Sequence, residues 1–219
     1  YNWCAGIYLN GQRVAGMNTP LGMLPLGDWT AAANDCDETV SLKGGGTEPR
    51  YRADGVFSTA TAHREVLRAL ITASAGKLVD TGGLLRPLSG VSQAPALAIT
   101  DDDLLLSGEV EIVDKLSRGE LVNAVFGTYH DPGQQYEATA APPRISPDDE
   151  AADGDIRLER HYALDLVTSP TQAQRVLEIM RRKGRHQATA TLRLCARCSG
   201  LEAGDVLSWT SERYGYEAK

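Results

Sequence analysis

Apolar and polar positions alternate most regularly in the second half of the chain. Val122, Ala124, Phe126 and Thr128 alternate with Asn123, Val125, Gly127 and Tyr129, which is the period of two that a half-buried strand requires. A second strand is expected over 157–166, where Tyr162, Leu164 and Leu166 share a face. The period then changes to that of a helix. Ser169 is suited to the N-cap and Pro170 to the first helical position. Ala173, Val176, Leu177 and Met180 form the stripe i, i+3, i+4, i+7, and Gly184 marks the stop. Ala190, Leu192 and Leu194 alternate with Thr189, Thr191 and Arg193, and a turn at 201–206 feeds a last strand over 206–209. The order strand, loop, strand, helix, strand, turn, strand predicts a small antiparallel sheet with one covering helix.

The first half is patterned less clearly. Ile7-Tyr8-Leu9 runs into Asn10-Gly11, a hairpin turn, with Arg13-Val14-Ala15 returning. The rest of 1–49 is rich in Gly and Pro and reads as loops. Residues 50–53 and 55–57 suggest a strand. A helix over 61–75 is expected from the face Val66, Leu67, Leu70, Ile71 and Ser74, with Gly76 as its stop. Residues 77–80 and 84–88 flank Thr81-Gly82-Gly83 as a second hairpin, and 96–100 is a short strand. No periodicity survives between Asp131 and Asp155, so that stretch is expected to be a structureless excursion projecting from the body. The fold class is therefore α+β and mainly antiparallel. Its expected divisions are a loop-rich β segment at 1–49, a strand–helix–hairpin subdomain at 50–116, and an antiparallel β domain at 117–219 with its helix at 170–184.

Composition narrows the function only a little. The 219 residues are 42% hydrophobic and 23% charged, with a net charge of −7. That balance argues against a dedicated nucleic-acid-binding domain, which would carry a basic face. No run approaches the roughly 20 apolar residues of a membrane span, and no signal peptide opens the chain. The first residue is Tyr1 rather than Met, so an internal piece of a longer polypeptide is expected.

Candidate chemistry is sparse. Cys195-Ala196-Arg197-Cys198 has the spacing of half a zinc site or of a redox pair. A structural zinc site usually takes two such pairs, and Cys4 and Cys36 are too far apart in sequence to form the second. A redox pair should open a helix, whereas this one ends a strand. Reduced free thiols, in a protein made in the cytoplasm, are therefore expected. Asp101-Asp102-Asp103 lacks the alternate acids and the correctly placed Gly and Glu of a calcium loop, so a turn or helix start is the expected role. His63, His130, His161 and His186 fall in no metal-ligand spacing, no nucleophile elbow occurs, and Gly44-Gly45-Gly46 is not followed by the Lys of a phosphate loop. Acids are numerous, so counting does not exclude a glycosidase pair, but nothing in the sequence singles out two carboxylates to be held across a cleft. Arg175, Arg181, Arg182, Lys183 and Arg185, followed by His186, could meet a polyanion, although cations at a helix C-terminus and a solvated outer face explain them better. No catalytic, cofactor-binding or metal-ligating residue is expected, and no cofactor.

The strand Val122-Asn123-Ala124-Val125-Phe126-Gly127-Thr128-Tyr129-His130-Asp131-Pro132 resembles a stretch of the "putative phage tail protein" family. So do Leu164-Asp165-Leu166-Val167-Thr168-Ser169-Pro170-Thr171-Gln172-Ala173-Gln174-Arg175 and Leu201-Glu202-Ala203-Gly204-Asp205-Val206. Glu48-Pro49-Arg50-Tyr51-Arg52-Ala53-Asp54-Gly55 is similar to the part that precedes them. The resemblance covers roughly 47–219 and rests on the order and spacing of these pieces. It includes part of the host-specificity protein J of lambda-like phages and hub proteins of gene transfer agents. It implies a virion structural protein of the tail tip, a baseplate-like hub built from tail-tube-like barrel or sandwich domains with a flanking helix. The hub would be a homotrimer that closes the tube, meets the distal tail protein and the tape measure protein, and lets DNA pass. A host receptor would be met through other domains. The cysteines are not part of that pattern. An acidic surface at 148–155 facing the lumen would keep DNA from sticking. The competing reading is a tail-associated cell-envelope hydrolase or carbohydrate-binding domain, which would need a concave site with convergent polar groups.

Overall fold

The computed structural model describes residues 1–105, 108–115, 117–186 and 188–217. In chain order the first elements are α1 (Asn2–Ala5), β1 (Ile7–Leu9), β2 (Gln12–Ala15), α2 (Leu26–Asp37), β3 (Thr39–Ser41) and β4 (Thr47–Pro49). Next come α3 (His63–Ala73), β5 (Lys77–Thr81), β6 (Leu84–Leu88), β7 (Leu97–Ile99) and β8 (Glu111–Val113). The remainder is β9 (Ala124–Asp131), β10 (Glu137–Ala140), β11 (Arg144–Ile145), α4 (Pro147–Ala152), β12 (Glu159–Leu164), α5 (Pro170–Lys183), β13 (Thr189–Thr191) and β14 (Leu207–Trp209). These gather into two compact, discontinuous units, Tyr1–Val91 with Leu121–Arg185, and Ser92–Glu120 with His186–Lys219. The expected segments 1–49, 50–116 and 117–219 divide the chain differently, because they take each stretch of sequence as continuous.

The larger unit is organised around β9. β10 pairs with it antiparallel from Glu137↔Asp131 to Ala140↔Thr128, and β11 continues along the same edge at Arg144↔Val125 and Ile145↔Ala124. Pro142 and Pro143 interrupt that edge, since neither has an N–H for the ladder. β12 pairs with β9 in parallel, from Glu159↔Ala124 to Leu164↔Tyr129. It shares β9 partners with both β10 and β11, so it occupies the opposite edge. The sheet is therefore mixed rather than antiparallel. A parallel neighbour needs a long connection, and residues 132–158 supply it. The stretch expected to be structureless thus contributes β10 and β11 to the sheet and forms α4 after them. Every sheet among the described residues is open, so the barrel expected from the resemblance is not formed within them.

α5 lies against this sheet through Ala173, Val176 and Leu177, all fully buried. Full burial of a Val or Leu side chain is worth about 1.5–3 kcal/mol. Gly127 makes the close approach possible, since a Cβ there would sit 2.8 Å from Leu177 Cδ2. The helix starts where its sequence directs, with the Ser169 hydroxyl accepting from the Gln172 N–H.

Elsewhere in this unit both expected hairpins form, β1–β2 and β5–β6. Gly82 and Gly83 both take positive φ at the second turn, as a two-residue hairpin requires. α3 also forms as expected, but Ala75 rather than Gly76 adopts the left-handed position at its end. Gly76 is needed for another reason, since a Cβ on it would lie 2.4 Å from the Leu88 carbonyl oxygen. Two expectations fail in the first half. α2 falls within residues read as loops, held by Trp29 Nε1 donating to the Leu85 carbonyl (3.0 Å) and by an Asp28–Arg86 ion pair of 2.6 Å. Residues 50–57 form no strand. Their backbone N–H groups instead reach scattered acceptors: Arg50 to Glu38 O, Tyr51 to Cys36 O and Asp54 to Leu166 O.

The smaller unit holds the two strands expected near the C-terminus, but they do not join the β9 sheet. β14 pairs in parallel with β7, Leu207↔Leu97 to Trp209↔Ile99. β13 pairs antiparallel with β8, Thr189↔Val113 to Thr191↔Glu111. Ile99, Cys198 and Trp209 form its buried centre.

Candidate functional site

In the larger unit the basic end of α5 is met by acids from the 146–155 turn and from the helix itself. Ser146 caps α4 by accepting from Asp149 N–H, which aims the carboxylates of Asp149 and Asp153 at α5. Arg181 reaches Asp149 Oδ2 at 2.8 Å and Glu178 Oε1 at 3.0 Å. Arg185 reaches Asp149 Oδ1 at 3.2 Å and Asp153 Oδ2 at 2.8 Å. The hydrogen bonds from Arg181, against the opposing effect of burial, hold the Glu178 carboxyl below its ordinary range. Asn123, fully buried, ties the same turn to β9 by donating to Asp153 Oδ2 (2.9 Å) and the Ile156 carbonyl (2.8 Å). Arg181 and Arg185 are thus committed within the unit, and so are Asp149, Glu150 and Asp153, Glu150 through Arg157. They form a clasp between α5 and the 146–155 turn.

The start of α5 carries a second polar cluster. Gln172 is 2% exposed, and its Nε2 donates to the carbonyls of Arg52 (2.8 Å) and Ala73 (3.0 Å) while its Oε1 accepts from the Arg52 N–H (3.1 Å). One side chain therefore satisfies backbone that a strand ladder would otherwise have paired. Beside it, Glu48 accepts from Ser169 Oγ (2.8 Å) and Thr171 Oγ1 (2.6 Å) and pairs with Arg175 Nη1 at 2.7 Å. Burial alone would raise the Glu48 carboxyl, but those three donors outweigh it and leave it lowered. Arg175 also donates to the Arg50 carbonyl at 2.8 Å.

The histidines are placed apart in chemistry. His63 lies edge-on to Trp3, and His161 stacks on Phe126 with ring centroids 5.2 Å apart. His130 Nδ1 lies 2.9 Å from the Tyr136 carbonyl and lines an open cleft of about 550 Å³ with Arg52, Asp54, Tyr136, Asp165 and Thr168. This cleft was not legible in the sequence, because its residues come from three separated segments. Cys4 and Cys36 both line an apolar cavity of about 270 Å³ with Trp29, Leu70 and Leu78, and burial pushes both thiols up.

The smaller unit contains a denser cluster. Asp101–Asp103 form a 3₁₀ turn, as a helix start was expected there, and Thr100 and Asp103 cap one another reciprocally. Asp103 is only 5% exposed. Its carboxylate takes both arms of the Arg197 guanidinium, Nε at 2.8 Å, and the Thr100 N–H at 3.0 Å. Those donors, Arg197 first, hold its carboxyl down at about 2. Cys195 Sγ lies 3.7 Å from Asp103 Oδ1, and the Cys195 N–H donates to the Asp103 carbonyl at 2.8 Å. Cys198, 6% exposed, follows one 3₁₀ turn later, with its thiol pushed up by burial. Asp103, Cys195 and Cys198 each present a potential ligand atom within 4.8 Å of the other two. The sequence brought Cys195 and Cys198 together but missed Asp103, which was read only as part of an acidic turn.

No helix of the described residues is long and apolar enough to cross a membrane. No curated protein sequence matches the chain. Among solved structures it is similar to a chain titled "Virion of native gene transfer agent (GTA) particle", with a TM-score of 0.60 and 23% identity. The match covers 80% of this chain and 38% of that one, so the chain spans well under half the length of its structural neighbour. Residues 62–218 match the family described as "Putative phage tail protein". That match takes in α3, the β9 sheet, α5 and most of the smaller unit, and the chain belongs to this family.

Proposed function

We propose that the chain is a structural part of a tail-tip or baseplate hub in a phage, prophage or gene-transfer-agent particle. It helps close the distal tail tube and position host attachment and DNA passage. The observation that carries this reading is the family match over 62–218. A fold shared with a chain from a gene transfer agent virion supports it. The polar clusters around α5 agree with a framework role, because their charged groups are engaged with one another across sequence-distant segments. In this reading the protein assembles as a homotrimer and meets the distal tail protein and the tape measure protein. Receptor contact lies in other domains of the particle.

Antibody labelling of purified particles, followed by electron microscopy, tests the placement. Label at the tip distal to the capsid is expected, and label along the tube or on the capsid would overturn it. The second reading, a carbohydrate-binding or hydrolytic module acting on the cell envelope, has one observation in its favour. The cleft with His130, Asp54, Asp165 and the exposed Tyr136 joins an aromatic face to polar groups. Retention of the protein on cell-wall polysaccharide, lost on Tyr136→Ala, or clearing in a zymogram would favour it.

A further inference from the structure

The smaller unit places two thiols and a carboxylate where one metal ion could take all three. We propose that Asp103, Cys195 and Cys198 form a binding site for a thiophilic divalent cation of the zinc class, with a fourth position open to water or an outside donor.

The case begins with the backbone. The Cys195 N–H donates to the Asp103 carbonyl at 2.8 Å, and Leu104 bridges antiparallel to Leu194. The loop bearing Asp103 and the loop bearing the cysteines are therefore held together independently of their side chains. The Cys198 N–H donates to the Cys195 carbonyl at 3.0 Å, and the Ser199 N–H to Ala196 at 3.1 Å, closing the turn that carries both thiols. Side-chain geometry follows. The three ligand atoms lie within 4.8 Å of one another. In a tetrahedral zinc site, with Zn–S of about 2.3 Å and Zn–O of about 2.0–2.2 Å, ligand atoms stand roughly 3.5–3.8 Å apart. Closing that difference takes about 1 Å of side-chain movement, well within χ rotation, with no displacement of backbone.

Charge completes the case. Two thiolates and a carboxylate carry three negative charges. A divalent cation and the Arg197 guanidinium, already paired with Asp103, bring the set to neutrality. Arg197 then acts as an outer partner that holds the ligating carboxylate in place. Metal binding releases the two thiol protons to solvent. A second Cys-x-x-Cys pair is therefore unnecessary, because the third ligand comes from a residue 92 positions earlier in the chain. The half-buried Cys195 gives the ion a route in, beside Asp103 and Cys198, which are nearly closed off.

The test is titration of the reduced full chain with Co²⁺, followed by displacement with Zn²⁺. Stoichiometric binding is expected, with a thiolate-to-cobalt charge-transfer band and the intense visible bands of tetrahedral geometry. Cys195→Ser and Cys198→Ser should each weaken binding by at least 100-fold, and Asp103→Asn by about tenfold or more. Arg197→Ala should fall in the range of 10–100-fold typical of outer partners. Cys4→Ser/Cys36→Ser should bind as the parent does. Should the cluster variants fold poorly, the unmutated chain still decides the matter through the alkylation of Cys195 and Cys198. Protection of these two thiols by Zn²⁺, with Cys4 and Cys36 unaffected, supports the site. Absence of a thiolate–cobalt band in the unmutated chain would overturn it. So would retention of that band in Cys195→Ser/Cys198→Ser, or isolation of the two thiols as a disulfide that reduction does not convert to a metal-binding form.

Discussion

Replacing Gln172 with Glu changes one atom group at a nearly closed polar position of the larger unit, and the structure assigns it a cost with a pH signature. The Gln172 amide nitrogen faces two carbonyl oxygens, Arg52 at 2.8 Å and Ala73 at 3.0 Å. A carboxylate there loses both donor bonds, about 1 kcal/mol each, and turns a charge toward two acceptors with 2% of the residue exposed. If that environment, with the second lost donor bond included, raises the new carboxyl by about two units, ionisation adds roughly 2.7 kcal/mol to the loss of about 1 kcal/mol already present in the protonated form, for a total of about 4 kcal/mol at pH ~8. The sign follows from linkage. An acid raised by folding costs nothing below its unfolded value of about 4.3, and its cost grows as pH rises to the folded value. At pH ~4 the protonated acid can return one donor bond, leaving a deficit of about 1 kcal/mol. Urea unfolding monitored by the fluorescence of Trp3 and Trp29, which belong to this unit, reads the difference. With a slope near 2–3 kcal/mol per molar, the midpoint should fall by over 1 M at pH ~8 and by less than half of that at pH ~4. Gln172→Leu, which loses the bonds without adding charge, should show a smaller and pH-independent loss. A Gln172→Glu protein with the parental midpoint at pH ~8, or a deficit that does not shrink in acid, would refute the reasoning.

Other perturbations test neighbouring parts of the same framework. Leu177→Ala should cost about 3 kcal/mol in urea unfolding, as a fully buried residue over the sheet. Gly127→Ala should cost about 1–3 kcal/mol by crowding Leu177 Cδ2, and combining it with Leu177→Ala should give less than the sum of the two losses. Glu48→Gln should cost about 1–2 kcal/mol at neutral pH, since one charge-assisted cluster is weakened rather than removed. Because folding lowers the Glu48 carboxyl, its contribution is present above the unfolded value and lost as pH falls through the folded one, so parent and variant should converge in acid. Asp149→Asn should destabilise by about 1 kcal/mol, less in high salt, by loosening Arg181 and Arg185. Unchanged unfolding at low salt would count against the clasp.

What the sequence disclosed and what it hid have separate physical causes. α5 was legible to its caps because Ser169, Pro170 and the 173–176–177 stripe all report local interactions. The β5–β6 turn was legible for the same reason, in the two glycines with positive φ. α2 was not, because its apolar positions make only a weak stripe, Gly27 sits in its first turn, and its ties to Leu85 and Arg86 are more than fifty residues away. Residues 50–53 have the composition of a strand, yet Gln172 satisfies the Arg52 backbone from 120 positions further along. The partners of β13 and β14 were equally invisible, since a three-residue strand carries no mark of what it pairs with. Of the cysteine cluster, the local pair could be read and the distant carboxylate could not.

The segments on which the family resemblance rests are not scattered in the fold. Residues 122–132 contain β9, and residues 164–175 run from the end of β12 into α5. Residues 48–55 pack against that junction, with Glu48 on Ser169, Thr171 and Arg175, Arg52 on Gln172, and Asp54 bound to Leu166 and Thr168. Three of the four resembling segments therefore meet around the β12–α5 junction, where their side chains serve one another's backbone and charge. A catalytic site would leave polar groups directed at an open space, ready for a substrate. Here Glu48, Gln172 and Arg175 are directed at the chain itself, which agrees with the framework role proposed above. The His130 cleft borders this junction through Arg52, Asp54 and Thr168. Any ligand it takes would therefore act on the part of the larger unit that fixes α5 to β9. That gives the two functional readings a shared test: a sugar that binds the cleft should also slow hydrogen exchange at the start of α5, whereas a purely structural junction should be indifferent to it.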